Sequence, residues 1–212
     1  MIISPPRFMT ILRTRDFILN NNEEYIKIIK ERLSEARFTH SINVAEAAAQ
    51  LAEKYGANAE KAYTAGILHD ITKEETHEAQ KEYITRNGIA LTELERLNGK
   101  VLHQMSGSLF CQSELGIDDE EILGAVRYHT TGRRDMTLLE KVVYTADFIS
   151  AERCYSDVEV MREKAQKSLE EAMLYSLRWT IRDLSSKAKL IHPDTLECYN
   201  WILENELKRK IV

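Results

Sequence analysis

Apolar residues recur along this chain at the three- and four-residue spacing that is typical of α-helices. In one such segment Val44, Ala48, Leu51 and Tyr55 share a stripe, and Gly56 follows as a stop signal. The spacing predicts helices over residues 25–33, 37–55, 59–69, 74–87, 101–115, 137–149, 158–184 and 193–210, and one more that begins at an Asp118 N-cap. The pattern contains no credible strand, and we therefore expect an all-α helical bundle.

The composition agrees with this fold and narrows the class of protein. Only 8 glycines and 3 prolines occur in 212 residues, and a β-rich fold would need more turn residues. A hydrophobic fraction of 43% and a charged fraction of 30% describe a soluble globular chain. We expect one domain over residues 21–212, preceded by an N-terminal extension over residues 1–20.

Charge and cysteine usage exclude several functional classes. The net charge of −5 argues against a general nucleic-acid binder, which usually has a basic surface. No stretch approaches the ~18 apolar residues of a membrane span, and the N-terminal segment lacks the apolar core of a signal peptide. The 3 cysteines are scattered without a CxxC pair, which favours a reducing compartment. We expect a cytoplasmic protein that needs neither nucleic acid nor membrane.

The adjacent residues His69 and Asp70 are the first candidates for chemistry. They end a segment of small and apolar residues in which Ala62, Ala65 and Gly66 share a helical face with His69. A face with so little bulk lets another helix approach closely. Two polar side chains at the end of a tightly packed helix are suited to a metal site, although a histidine that caps the helix end is a simpler explanation.

Two more polar residues interrupt apolar helical faces elsewhere. His40 shares an inward face with Val44 and Leu51, and Asp147 lies in an apolar helix where a lone carboxylate would be costly. Alone, His40 could be a satisfied core residue and Asp147 could pair with an arginine. One divalent metal would satisfy all of these side chains together.

The donor set indicates which metals would bind. His40, His69, Asp70 and Asp147 provide two imidazoles and two carboxylates, a mixture that suits Fe, Mn, Co or Zn better than Mg or Ca. Four protein ligands in an octahedral shell leave positions for water and substrate. A metal-activated water would then be a nucleophile near neutral pH.

The order H…HD…D on helices resembles the HD superfamily of metal-dependent phosphohydrolases. Within it, the chain resembles the YqeK-type family, the bacterial symmetrical bis(5′-nucleosyl)-tetraphosphatases, over about residues 24–205. The resemblance depends on the segments 37–40 (Arg-Phe-Thr-His), 66–73 (Gly-Ile-Leu-His-Asp-Ile-Thr-Lys), 102–103 (Leu-His), 127–132 (Arg-Tyr-His-Thr-Thr-Gly) and 144–153. It implies an HD-domain bundle that hydrolyses diadenosine tetraphosphate to two molecules of ADP.

The resemblance also implies roles for individual residues. It implies iron or a similar metal at the four ligands named above. It implies catalytic or substrate-phosphate roles for Asp70, Lys73, His103, His129, Thr130 and Arg153, with Arg37 beside the site. His103 and His129 would either donate to phosphate oxygens or ligate a second metal bridged by Asp70. The sequence leaves both roles open, and one metal is favoured.

Arg153 sets a condition on the fold. It follows Asp147 by six residues, which is about 240° around an ideal helix, so it would face away from the metal. Its role therefore requires the helix to end or bend near Ser150.

Two other functions compete with the tetraphosphatase. One is an HD phosphohydrolase for another nucleotide, such as guanosine tetraphosphate or a deoxynucleotide. The cyclic-di-GMP class is disfavoured because no Gly-Tyr-Pro segment follows the metal residues. The other is a non-catalytic nucleotide-sensing domain, although such domains commonly lose a ligand that this chain keeps. The sequence does not decide whether the protein forms a homodimer.

Overall fold

The computed structural model describes residues 22–211, with side chains to Arg209. The expected extension over residues 1–20 lies outside this part of the chain. All regular structure in the described part is helical, as the sequence predicts. Its eleven α-helices are α1 (Glu23–Arg32), α2 (Glu35–Tyr55), α3 (Ala59–Leu68), α4 (His77–Arg86), α5 (Glu93–Leu97), α6 (Leu102–Ser113), α7 (Glu120–Tyr128), α8 (Leu138–Ile149), α9 (Val158–Lys167), α10 (Leu169–Ser186) and α11 (Pro193–Ile211).

One predicted helix is wrong, because residues 158–184 form two helices. Ser168 has an extended backbone (φ −157°, ψ 138°), and its side chain accepts hydrogen bonds from the backbone N–H groups of Glu170 and Glu171. It is therefore the N-cap of α10 and separates it from α9. The apolar spacing continues across the break and concealed it.

One predicted N-cap is wrong, and one short helix was not predicted. Asp119, rather than Asp118, caps α7, since its carboxylate accepts from the backbone N–H groups of Glu121 and Ile122. The short helix α5 was missed altogether. It begins with a capping box in which Thr92 and Glu95 each bond to the backbone of the other.

The helix α3 lies at the centre of the bundle. It packs against α2, α7 and α8, and all its residues from 62 to 68 are buried. Its contact with α2 is very close, because a Cβ atom on Gly66 would lie 2.5 Å from Ala45 Cα. The small residues of this face thus allow the close packing that the sequence indicated. The end of α3, with His69 and Asp70, is carried into the interior.

The remaining helices surround this centre. The helices α8, α10 and α11 enclose a second apolar cluster around Tyr144, Met173 and Cys198. The C-terminal ends of α3, α7 and α8 meet beside His69, His129 and Asp147. In the described part of the chain, no helix is both long enough and apolar enough to cross a lipid bilayer.

We expect Gly66→Ala to destabilise the protein by about 2 kcal/mol, as overpacking typically does. The added methyl group would overlap the backbone of Ala45, and this cost exceeds the ~1 kcal/mol that alanine gains over glycine within a helix. Urea-induced unfolding followed by circular dichroism measures the change. Gly107→Ala is the matched control, because its Cβ would meet no heavy atom closer than 3.5 Å. Equal stability of the two variants would contradict the close contact.

Candidate metal centre

The four predicted metal ligands meet at the buried end of α3. His40 Nε2 lies 3.1 Å from Asp147 Oδ1 and 3.3 Å from His69 Nε2. Asp70 Oδ2 lies 3.4 Å from His69 Nε2 and 3.8 Å from His40 Nε2. His40, His69 and Asp70 are buried, while Asp147 is partly exposed on the open side. Their ligand atoms converge on one small volume.

His103 and His129 join the same cluster from α6 and from the end of α7. Their Nε2 atoms lie 3.0 Å apart, and both are within 3.5 Å of Asp70 Oδ1. Asp70 therefore faces one histidine pair with each of its carboxylate oxygens. This carboxylate occupies the middle of the centre.

Local backbone contacts orient three of these imidazole rings. The Nδ1 atoms of His69, His103 and His129 lie 2.7, 2.9 and 2.8 Å from the carbonyl oxygen three residues earlier in the chain. A carbonyl only accepts, so each Nδ1 carries the hydrogen and donates it. In the neutral ring the Nε2 atom then presents a lone pair to the centre, which is the form that binds a metal.

The arrangement fits a divalent cation. Lone pairs of several Nε2 atoms and the carboxylates of Asp70 and Asp147 face one shared volume, and Asp70 Oδ1 is buried without a hydrogen-bond partner. Two of the groups with ligand atoms within 4.8 Å of one another are His40–His69–Asp147 and His69–Asp70–His129. A cation between these nitrogen and oxygen atoms would bind their lone pairs, which otherwise repel one another.

The pKa shifts of the clustered residues also indicate a site of negative electrostatic potential. Burial raises the pKa of Asp70, but the charge of His69 and the close approach of the His129 and His69 rings hold it well below its usual range. Burial lowers the pKa of His69, and the charge of Asp70 more than reverses this, so the pKa is raised. Burial, followed by the charge of Lys73, lowers the pKa of His103 well below its usual range. The centre attracts positive charge while keeping ionised carboxylates.

Three basic side chains stand at the mouth of the centre. Arg37 Nη1 donates to Asp70 Oδ2 at 2.8 Å, and Lys73 Nζ lies 3.0 Å from His103 Nε2. Arg153 donates from Nε to the Asp147 carbonyl oxygen at 2.8 Å, and its Nη2 contacts Asp147 Oδ1. Their side chains are 30 to 37% exposed, so an anion in solvent can reach them.

The position of Arg153 depends on the end of α8. The helix ends at Ile149, and Ser150 turns the chain with ψ 154°. The loop then folds back so that Arg153 returns to Asp147 instead of pointing away from it. This is the helix end that the sequence analysis required.

Other predicted residues differ in how close they come to the centre. Thr130 Oγ1 lies 3.0 Å from His103 Nε2, so it belongs to the cluster. Gln104, which the sequence did not single out, holds the turn after His129 by accepting hydrogen bonds from the backbone N–H groups of Thr130 and Thr131. In the sequence, Gln104 could have been recognised as a polar residue on an otherwise apolar helical face.

Glu152 is a second residue that sequence reasoning missed. Its carboxylate contacts His40 Nδ1 and also accepts from Asn43 Nδ2 and Ser150 Oγ, each at 2.7 Å. It therefore fixes the ring of His40 as the carbonyl oxygens fix the other three. Carboxylates of this kind orient metal-binding histidines. Its only sequence signal was its place just past the end of α8.

We expect Glu152→Ala to weaken divalent-metal binding by about 10- to 100-fold, because His40 would lose the partner that orients its ring. Glu152→Gln should lie between this variant and the native protein, since an amide oxygen can still accept from Nδ1. Competition with a chelator measures the affinity. Glu204→Ala is the control, because its carboxylate pairs only weakly with Arg134, 3.9 Å away. Equal affinities in all four proteins would show that Glu152 does not position His40.

Comparison with known proteins agrees with this site. The family model described as HD domain matches residues 37–152, a range that begins at Arg37 and ends at Glu152. The helical fold and the histidine–aspartate centre thus define the HD-domain class, which binds divalent metal.

Two curated relatives bear the name symmetrical bis(5′-nucleosyl)-tetraphosphatase. One, from Bacillus subtilis, is 39% identical and covers 86% of this chain and 98% of its own; the other, from Halalkalibacterium halodurans, is 38% identical and covers 86% and 97%. The chain belongs to the family of the symmetrical bis(5′-nucleosyl)-tetraphosphatases.

A solved structure shows the same fold. The crystal structure of a predicted HD superfamily hydrolase involved in NAD metabolism, from Clostridium acetobutylicum, superposes with a TM-score of 0.85. It is 34% identical and covers 86% of this chain and 97% of its own. The likeness extends over nearly the whole described bundle.

Proposed function

We propose that this protein hydrolyses diadenosine tetraphosphate and related dinucleoside polyphosphates symmetrically, so that diadenosine tetraphosphate yields two molecules of ADP. The observation that carries this proposal is the Asp70 centre with Arg37, Lys73 and Arg153 at its mouth. A polyphosphate needs several positive charges in one cleft, and this acidic chain gathers them here. The names of the relatives support the choice of substrate.

We propose two divalent cations at the centre, with iron favoured by the mixed nitrogen and carboxylate donors. His40, His69 and Asp147 would hold the first together with Asp70, and His103 and His129 would hold the second. The sequence favoured a single ion and left the second open. The 3.0 Å approach of the two Nε2 atoms on the free side of Asp70 supports the second ion.

The chemistry is the transfer of a phosphoryl group to water. Divalent cations in such a site polarise phosphate oxygens and lower the pKa of water. A water oxygen forms a bond to one central phosphorus and releases a proton to solvent, and the bond from that phosphorus to the oxygen that joins the two central phosphorus atoms breaks. One ADP leaves with the bridging oxygen, and the other carries the oxygen from water.

The chain's own cations stabilise the charge that develops. Lys73 and Arg153 would present an ammonium and a guanidinium to the phosphate oxygens, and Arg37 lies beside Asp70. Charge stabilisation of this kind is the main lever in phosphoryl transfer. Thr130 places a hydroxyl beside His103, where it can donate to a phosphate oxygen.

The cleavage position tests the function most directly. Metal-loaded protein is incubated with diadenosine tetraphosphate in water enriched in heavy oxygen, and the first products are separated by chromatography and weighed by mass spectrometry. We expect ADP alone, with the label in half of the molecules. The initial products ATP and AMP would refute the symmetrical cut and leave an HD phosphohydrolase. No product from any polyphosphate nucleotide, with metal confirmed, would refute catalysis and favour the sensing domain.

A further inference from the structure

A cavity of about 220 Å³ opens beside Asp147 and Arg153, at the edge of the metal centre. Its walls come from the end of α8, from the loop that follows, from α9 through Met161 and from α10. Four of the nine residues that line it are aromatic, namely Phe148, Tyr155, Tyr175 and Trp179. The hydrolysis described above uses none of these rings.

Two of these rings are unusually exposed for aromatic side chains. Trp179 is 47% exposed and Tyr155 is 36% exposed, although both line a concave site. Hydrogen bonds hold two of the rings by their hydroxyl groups. Tyr155 Oη donates to the Phe148 carbonyl oxygen and Tyr175 Oη donates to Asp157 Oδ2, each at 2.9 Å. Tyr155 is therefore both held in place and exposed, and with the exposed ring of Trp179 it is suitable for stacking against a flat ligand.

A carboxylate gives the cavity polarity. Asp157 lines it and accepts hydrogen bonds from Ser156 Oγ and Tyr175 Oη. These bonds lower the pKa of Asp157, so it is an ionised acceptor at neutral pH. Such an acceptor matches a ligand edge that carries N–H groups, as the exocyclic amine of adenine or guanine does.

Arg153 connects the cavity to the centre. Its guanidinium lines the cavity and also contacts the carboxylate of Asp147. A ligand with a flat base in the cavity and phosphates at the centre would therefore pass this guanidinium at the junction between its two parts. A nucleoside diphosphate has this layout.

We propose that this cavity is a nucleobase site, in which Tyr155 and Trp179 stack on one aminopurine base of the substrate while its phosphates reach the metal centre past Arg153. The inference deepens the proposed function and relies on it for the identity of the full substrate. The smallest ligand that meets the requirement is a purine nucleoside diphosphate such as ADP.

The test compares ADP with inorganic pyrophosphate, which carries the phosphates without a base. The metal-loaded protein has two tryptophans, Trp179 and Trp201, so its fluorescence reports on the cavity. We expect ADP, but not pyrophosphate, to quench the emission. The quenching should disappear in Trp179→Phe and persist in Trp201→Phe.

Affinity and kinetics complete the test. In Tyr155→Ala the Kd for ADP and the KM for the dinucleotide should each rise about tenfold, as expected when one stacking partner is lost, and pyrophosphate binding should not change. Circular dichroism confirms that the variant is folded, which is expected for an exposed side chain.

The outcomes separate this inference from the proposed function. Native hydrolysis with unchanged ADP binding in Tyr155→Ala, or with no ADP binding at all, would overturn the nucleobase site alone. Equal quenching by pyrophosphate would also overturn it. ADP binding that depends on Tyr155 and Trp179, in a protein without hydrolysis, would support the site and overturn the proposed function.

Discussion

Asp70→Ala should abolish hydrolysis, by at least about 10³-fold, and should remove bound metal. Each oxygen of this carboxylate faces one histidine pair, so its loss affects both proposed cation positions at once. A metal ion supplies several kcal/mol of transition-state stabilisation, and each 1.4 kcal/mol is about tenfold in rate. The fold should persist, because the packing of α2, α3 and α8 does not depend on this side chain.

Metal content and turnover are measured together on folded protein. Asp70→Asn keeps the shape of the side chain while it removes the charge, and it should be nearly as inactive. Asp183→Ala is the control, because that carboxylate lies on α10 and pairs with Lys187, the residue that follows the helix. A folded Asp70→Ala protein with native metal stoichiometry and near-native activity would defeat the site assignment.

Arg153→Ala and Lys73→Ala should each lower kcat/KM by about 10²-fold, as the loss of one charge-stabilising group typically does. Metal content should hold in both. The guanidinium of Arg153 contacts the carboxylate of Asp147 directly and competes with the metal cation for it. In Arg153→Ala this competition is removed.

Arg134→Ala is the matched control for charge. Its guanidinium lies over the Trp201 ring, 4.2 Å from the centroid, and away from the cluster of Asp70. Its removal should leave kcat/KM within about twofold of the native value. Loss of metal from Arg153→Ala or Lys73→Ala would show that the division between ligands and phosphate contacts is wrong.

The predicted site residues that the structure places in one cluster are those whose direction follows from helical spacing. His40 and Asp147 interrupt apolar faces, and His69 with Asp70 ends a face of small residues. Such faces are local properties, and packing them together brings the four side chains to one place. The contact between Gly66 and Ala45 shows how the small residues make this possible.

The features that were missed depend on non-local structure. Glu152 follows the end of α8, where no period predicts the direction of a side chain. The cavity combines Tyr155 from that loop with Trp179 from α10, and only tertiary packing places them side by side. The break at Ser168 was hidden because the amphipathic pattern continued across a residue that caps a new helix.

The way in which the helices end around the centre has a consequence for the order of binding. The C-terminal ends of α3, α7 and α8 meet there, each equivalent to about half a negative charge, whereas α2 and α6 bring residues of their first turns to it. The backbone thus adds to the negative field of Asp70, Asp147 and Glu152. Arg37, Lys73 and Arg153 roughly neutralise these carboxylates, so without metal cations this end of the bundle has little net attraction for a polyphosphate. Cations should therefore enter first, and the nucleotide should bind as the second partner of an obligatory sequence.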